Sequence, residues 1–256
     1  MKNDKIKIKK VENMARRKKK TTKALISLCL VLVMSGAVYF EQDIRNLFDA
    51  NDKTQTVSYE IESIPDYNGS SYVVLENNQP DFSEGDYTPE TFEEYSDLDS
   101  LNRCGVAFAN VWKETMPTEE RGSIGQIKPS GWHTVKYDIV SGKYLYNRCH
   151  LIGYQLTGEN ANEKNLITCT RQMNTEGMLE FENQVADYVQ TTNNHVLYRV
   201  TPVFENDNLV AKGVQIEASS VEDHCGEVCF NVFVYNVQDG IEIDYKTGDS
   251  KLLENN

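Results

Sequence analysis

The stretch YNRCHLIGYQL, residues 146 to 156, places an arginine, a cysteine and a histidine side by side. Each of them could do a different kind of chemistry. The imidazole of His150 could act as a general base near neutral pH. The thiol of Cys149 could act as a nucleophile, and the guanidinium of Arg148 could stabilise an anion. Which of the three acts depends on the partners that the rest of the chain supplies.

A cysteine nucleophile would need a histidine from elsewhere in the fold. His150 is a poor partner for Cys149, because neighbouring residues on a strand point to opposite faces. His133 or His224 could take that role. A cysteine hydrolase of this kind would be blocked by thiol reagents and insensitive to chelators. Disulfide bonding or packing is the preferred account of the thiol.

The cysteines also allow disulfides or a metal site. Five of the six lie outside an apolar N-terminal segment, so in an oxidising compartment at least one of the five stays unpaired. Cys225 is close enough in sequence to bridge to Cys229, and Cys149 could pair with Cys169. A structural metal site from His224, Cys225 and Cys229 is an alternative, although its spacing matches no common zinc pattern closely.

General-base chemistry at His150 finds its partners downstream. Asn165, Asn174 and Glu182 follow it on what the pattern predicts to be one hairpin-then-helix unit. The window from residue 121 to 171 carries seven Lys and Arg but only three acids, in a chain whose net charge is −13. A polyanionic substrate would be drawn to this region and repelled by the acidic remainder.

Two strands and a helix are predicted to position these residues. Strand-like patterns in TVKYDIV (134–140) and KYLYNRCHL (143–151), separated by Ser-Gly, predict a β-hairpin. A helix is predicted from about Asn174 through residue 189. Its apolar stripe consists of Met178, Phe181, Val185 and Val189.

The flanking segments predict further strands and a second helix. VSYEIESI from Val57 and SYVVLE from Ser71 precede the hairpin, and HVLYRVTPVF, LVAKGVQIEA and VCFNVFVYNV follow the helix. A helix ended by Pro117 is also predicted, because apolar residues recur at helical spacing at Leu98, Leu101, Phe108 and Val111. This order of elements predicts one α+β domain over residues 57–251.

The N-terminal segments predict a membrane anchor. Residues 1–23 hold eleven Lys and Arg against two acids, and the uncharged segment 24–40 follows them. This pattern predicts a basic cytoplasmic tail and a transmembrane signal anchor, with an acidic linker over residues 41–56 and an extracellular domain at the cell membrane. Ser35 and Ala37 form a small-x-small pattern, so cleavage by a signal peptidase and secretion are the alternative.

The stretches YNRCHLIGYQLTG, EKNLITCTRQMN and GMLEFE resemble the DNA/RNA non-specific endonucleases, among them the streptococcal DNA-entry nucleases. The resemblance covers roughly residues 57 to 250. It implies an antiparallel sheet core with a ββα-metal (His-Me finger) motif. The family's Asp-Arg-Gly-His motif reads Asn147, Arg148, Cys149 and His150 here, so the chain departs from it at the acid and at the glycine.

The resemblance also implies roles for individual residues. His150 takes the position of the general base, and Asn174 matches the asparagine that ligates the catalytic Mg²⁺. Glu182 matches the acid that holds the metal's water, and Asn165 matches a further polar position of the active site. The implied cofactor is Mg²⁺, with Mn²⁺ as the alternative.

These observations predict an endonuclease that hydrolyses DNA, or RNA, to 5′-phosphate products without regard to sequence. His150 is expected to activate water, and Arg148 or Arg121 to stabilise the phosphate's charge. Arg121, Arg171 and Lys164 are expected to bind the substrate backbone. The alternative is a catalytically silent, surface-anchored module that keeps the nuclease fold and binds nucleic acid or a protein.

Overall fold

A computed structural model of the protein describes residues 64–254. The predicted basic tail, membrane segment and linker lie outside these residues, as does all but the last residue of the strand predicted from Val57. Within residues 64–254, no helix combines the length and the apolar character that a membrane crossing requires. The membrane anchor and the domain boundaries therefore stay predictions.

An antiparallel sheet of six strands is the largest element of the fold. Its three long strands come from segments rich in β-branched and aromatic residues, which fit a pleated, half-buried surface. The strand predictions in these segments are confirmed, as is the strand predicted after Ser71. In spatial order the strands are β1 (Tyr72–Val74), β8 (Cys229–Tyr235), β7 (Gly213–Ser220), β6 (Val196–Val203), β3 (Ala107–Val111) and β2 (Phe92–Tyr95).

The two faces of the sheet bury different side chains. Tyr198 and Val200 of β6 are fully buried in the main hydrophobic core. Arg199 between them points to the other face, where its guanidinium lies 2.8 Å from a carboxylate oxygen of the buried Glu217. The backbone N–H of Asp81 donates to the same carboxylate at 2.9 Å. The segment that precedes β2 therefore covers this second, more polar face.

A long helical segment packs on the apolar face of the sheet. A π-helical turn (Met173–Met178) leads into the helix α2 (Leu179–Thr192), which confirms the helix predicted from Asn174. Gly177 allows the turn to approach β8 closely, because a Cβ atom at this position would collide with the side chain of Val234. The apolar stripe that the sequence predicts is buried in the core: Met178, Phe181, Val185 and Val189.

Two short strands, β4 (Tyr146–His150) and β5 (Leu166–Thr170), form a separate antiparallel pair. The sequence predicts that segment 134–140 is the partner of β4, and this prediction is wrong. Segment 134–140 pairs with the chain that follows it only at a bridge between Lys136 and Tyr144. All of β5 is buried, so β5 offers β4 an apolar neighbour that the mostly exposed segment 134–140 does not. The connection contains the one-turn helix α1 (Tyr154–Thr157) and a 3₁₀ turn (Glu163–Asn165).

The helix predicted between Leu98 and Pro117 is wrong. Residues 107–111 form β3, which pairs with β6 along its whole length, while Leu98 and Leu101 lie in a loop. Phe108 of β3 stacks on Phe82, away from the main core. The inward side chains alternate with it at the two-residue period of a strand; they are Ala107, Ala109 and Val111.

A smaller strand pair completes the described fold. It consists of β9 (Ile241–Ile243) and β10 (Ser250–Leu252), and a 3₁₀ turn (Glu76–Asn78) follows β1. The arrangement confirms the predicted α+β class with an antiparallel sheet core.

Two disulfides cross-link the described residues. Cys149 of β4 is bonded to Cys169 of β5, with their Cα atoms 5.8 Å apart, and Cys225 is bonded to Cys229, with their Cα atoms 4.6 Å apart. The remaining cysteine of this part of the chain, Cys104, is a buried free thiol. A disulfide sulfur is neither a nucleophilic thiolate nor a metal ligand. The hypotheses of a Cys149 nucleophile and of a metal site at Cys225 and Cys229 are therefore wrong.

Candidate active site

A cleft of about 630 Å³ lies along β4 and the helical segment that follows β5. The strand β4 supplies one wall, and the π-helical turn with the first turn of α2 supplies another. Among its lining residues Glu182 is the one carboxylate, whereas several are cationic. Six of the eight site residues predicted from the sequence line it: Arg121, Arg148, His150, Arg171, Asn174 and Glu182.

The imidazole of His150 is held in one orientation by two contacts. Its Nε2 atom lies 2.7 Å from the backbone carbonyl oxygen of Asn160. A carbonyl oxygen only accepts hydrogen bonds, so Nε2 carries the proton and donates it. Nδ1 is then left with a lone pair, which accepts a hydrogen bond from Nη2 of Arg121 at 3.1 Å. This assignment of the tautomer follows from the hydrogen-bond network.

The surroundings of His150 keep its ring neutral. The residue is buried, and burial lowers the pKa of His150 from its ordinary 6.5 to about 4. The charge of Arg121 lowers this pKa further, whereas the hydrogen bond to Asn160 opposes the shift. At neutral pH the ring is therefore uncharged, and the Nδ1 lone pair accepts the hydrogen bond from Arg121.

The carboxylate of Glu182 lines the cleft from the first turn of α2. Burial raises the pKa of the Glu182 carboxyl from 4.5 to about 7, although Gln155 and Arg121 both favour the ionised form. The amide of Gln155 donates a weak hydrogen bond of 3.5 Å to this carboxylate. Within residues 64–254, Glu182 has no ion-pair partner within 4.0 Å. A cation in the cleft would stabilise its charged form.

Asn174 reaches the same cleft from the π-helical turn. In a regular α-helix, residues eight positions apart lie about 80° apart around the helix axis. The wider π turn changes the rotation between Asn174 and Glu182, and both side chains line the cleft. Turns of this kind are frequent at functional sites. An amide oxygen and a carboxylate, the ligand types that Mg²⁺ prefers, therefore line the same cleft.

A comparison with protein families identifies the chain. A family model described as DNA/RNA non-specific endonuclease matches residues 85–222, more than half of the 256 residues. The chain belongs to this endonuclease family. The match spans the cleft's β4 and β5 strands and the helical segment, so the resemblance seen in the sequence motifs is confirmed.

Solved nuclease structures resemble the endonuclease over most of its length. NucA from Streptococcus agalactiae with a magnesium ion bound is 26% identical, with a TM-score of 0.66 over 75% of this chain and 93% of NucA. NucA with no metal bound is 27% identical, with a TM-score of 0.65 over 75% and 92%. The Sda1 nuclease with a bound zinc ion is 24% identical, with a TM-score of 0.59 over 73% and 97%, and shares the fold.

Arg148 is used inside the endonuclease to hold a loop. Its Nε donates to the carbonyl oxygen of Ile127, and its Nη2 donates to that of Gly125 at 2.9 Å. Its guanidinium also lies 3.9 Å from the ring centroid of Trp132. Because these contacts occupy much of its donor capacity, Arg148 positions the loop that follows Arg121. Arg121, which is exposed beside His150, is the better placed of the two to meet a phosphate.

Two predicted site residues do not line the cleft. Asn165 is fully buried, and its side-chain amide bonds both the backbone N–H and the carbonyl of Ile152, at 2.9 and 3.0 Å. It therefore fixes the loop that follows His150. The Nζ atom of Lys164 lies 2.6 Å from a carboxylate oxygen of Asp97. The charge of Lys164 is therefore paired with the loop that carries Asp97 and is not directed to the cleft.

Sequence reasoning misses three groups that shape the site. The Asn160 carbonyl is invisible in a sequence, since every residue carries one. Gln155 had no signal that separates it from an ordinary surface residue. Gly153 has no such signal either, since its φ of −57° is open to any residue and only the structure shows why a glycine stands there. A Cβ atom there would lie 2.5 Å from Oε2 of Glu182, so the glycine leaves room for the carboxylate.

Proposed function

We propose that this chain hydrolyses phosphodiester bonds within DNA, with a divalent cation as cofactor, and leaves 5′ phosphates on its products. The observation that carries the proposal is that His150, held with Nε2 protonated and Nδ1 unprotonated, lines a cleft that Arg121 and Glu182 also line. Membership of the endonuclease family supports a nucleic acid as the substrate. RNA is the second candidate substrate.

His150 acts as the general base in this proposal. Once Arg121 turns its hydrogen bond to a phosphate oxygen, Nδ1 accepts a proton from a water molecule as that water attacks the phosphorus atom. The carbonyl of Asn160 keeps the other nitrogen protonated and orients the ring. Attack by water in line with the departing 3′ oxygen breaks the P–O3′ bond, which leaves a 3′ hydroxyl on the upstream product and the phosphate on the 5′ oxygen of the downstream product.

Arg121 stabilises charge that develops on the phosphate. It is exposed and lines the cleft with its Nη2 beside the Nδ1 atom of His150, so a phosphate held by Arg121 places its phosphorus close to the base. Arginine contacts with phosphate oxygens carry no information about the base sequence. Cleavage is therefore expected to be indifferent to sequence.

Asn174 and Glu182 would hold the divalent cation. The fit rests on the chemistry of the two oxygen donors and on the raised pKa of Glu182, whose buried charge lacks a close cationic partner among the described residues. The similarity to NucA with magnesium bound supports Mg²⁺, and Mn²⁺ is the alternative. When bound there, the cation would neutralise charge on the phosphate and assist departure of the 3′ oxygen.

We propose that the enzyme works outside the cytoplasm, anchored in the cell membrane by residues 24–40 or secreted after cleavage. The two disulfides support an oxidising environment. The basic segment 1–23 before the apolar segment supports an inward-facing N-terminus. A tethered nuclease would act on DNA at the cell surface.

Removal of metal is expected to abolish the activity. Plasmid DNA should be nicked and linearised in the presence of Mg²⁺, EDTA should stop the reaction, and excess Mg²⁺ or Mn²⁺ should restore it. The product ends should ligate without prior kinase treatment, because they carry 5′ phosphates. Gel electrophoresis reports both readouts. Digestion that survives EDTA would contradict the metal requirement, and no digestion with either metal would favour a silent binding module.

A further inference from the structure

The cleft extends well beyond the reaction centre. Tyr146, Arg148 and His150 of β4 all line it, and a strand rises about 3.3 Å per residue, so its ends are roughly 13 Å apart. Tyr144 and Arg171 line the part beyond Tyr146. Each strand of duplex DNA carries one charge about every 3.4 Å along the axis. The cleft is therefore long enough to contact more of a nucleic acid than its scissile phosphate.

The part of the cleft remote from His150 presents an exposed aromatic ring beside a cation. The side chain of Tyr144 is 47% exposed, and Nζ of Lys136 lies 4.4 Å from its ring centroid. Leu179, which also lines the cleft, is 39% exposed. Positive charge interleaved with exposed aromatic surface is typical of sites that bind single-stranded nucleic acids.

Arg171 adds an unused hydrogen-bond donor to this region. Its backbone N–H donates to the carbonyl oxygen of Leu145 at 2.8 Å, which fixes the residue next to Tyr144 in the fold. Its side-chain Nε is buried and has no hydrogen-bond partner in residues 64–254. A buried donor without a partner is costly, and because the Arg171 side chain lines the cleft, a rotation of its guanidinium would let a bound phosphate oxygen satisfy this donor.

We propose that Tyr144, Leu179 and Arg171 form a distal subsite for an unpaired nucleotide of the substrate strand. The base stacks on the ring of Tyr144, and its phosphate binds Arg171. In a duplex the faces of the bases are already stacked on one another, so the subsite favours single-stranded or locally unpaired nucleic acid. Stacking accepts any base, so the preference is for strandedness and not for sequence. The inference rests on the proposed function.

Binding measurements without metal separate this inference from catalysis. Fluorescence anisotropy of the full-length protein in EDTA gives Kd values for a labelled single-stranded oligonucleotide and for the duplex of the same sequence. Tyr144→Ala is expected to raise the single-strand Kd about tenfold and to change the duplex Kd much less. Tyr144→Phe, which keeps the ring, is expected to bind the single strand like the wild type.

The matched control is Ile139→Ala, in the same turn. Ile139 is 58% exposed and lies outside the cleft, so this variant should bind both substrates like the wild type. Arg171→Ala should reduce the slope of log Kd against log salt by about one. Equal changes in single-strand and duplex Kd for Tyr144→Ala, or no change in either, would overturn the inference. The proposed function fails on a different result, namely the absence of metal-dependent cleavage by the wild type.

Discussion

His150→Ala is expected to lower kcat/KM for plasmid DNA by about a hundredfold to ten-thousandfold, the range that a positioned general base contributes. The substitution removes the Nδ1 lone pair and leaves the proposed metal donors Asn174 and Glu182 in place. Metal binding and substrate binding should therefore survive, and the loss should fall on kcat. Single-turnover digestion at saturating Mg²⁺ measures that loss directly.

His133→Ala is the matched control for this experiment. The side chain of His133 is 46% exposed, and the residue does not line the cleft. Its removal should leave kcat/KM unchanged. Both variants should unfold cooperatively at a temperature near that of the wild type. A folded His150→Ala variant that digests plasmid DNA at close to the wild-type rate would rule out this histidine as the base.

Gly153→Ala is expected to lower kcat/KM by about a hundredfold, because a shift of about 1 Å in an active-site group can cost that much. The added Cβ atom would lie 2.5 Å from Oε2 and 2.7 Å from Cδ of Glu182. The carboxylate must move away, and with it one of the two proposed metal donors. The Mg²⁺ concentration for half-maximal activity should rise, which a titration of rate against Mg²⁺ detects.

Gly85→Ala provides the comparison. Gly85 is exposed, has no positive φ, and a Cβ atom there would meet only Oγ of Ser83 at 3.7 Å, an ordinary contact. This variant should match the wild type in rate and in Mg²⁺ dependence. If Gly153→Ala also kept the wild-type Mg²⁺ dependence, the position of Glu182 would not matter for the metal.

The predictable parts of the fold are those in which local pattern and tertiary packing agree. The stripe from Met178 to Val189 faces the sheet as its helical period requires, and β6 to β8 follow their β-branched segments. The spacing of Leu98, Phe108 and Val111 also suggested a helix, but pairing of β3 with β6 decided that segment. The pairing partner β6 lies far away in the sequence, so the pattern of residues within a short segment does not reveal that a strand forms there.

The candidate site also has a part that the sequence predicts and a part that depends on the fold. Residue type and motif order lead to His150, Asn174 and Glu182 as candidates, and the fold brings these three residues to one cleft. They did not distinguish Asn165, whose amide has the same chemistry but is used to hold the backbone of Ile152. They also could not show that Lys164 is paired with Asp97. Both outcomes depend on where a side chain points, which the fold determines.

The protonation of His150 is the central claim, and ¹⁵N NMR of the imidazole nitrogens tests it most directly. Near neutral pH, the metal-free protein should show His150 with a proton on Nε2 and none on Nδ1. Because burial holds its pKa at about 4, below the ordinary 6.5, the ring should gain its second proton only as the pH falls through about 4. A proton on Nδ1 at neutral pH, or a ring already charged there, would contradict the proposed catalyst.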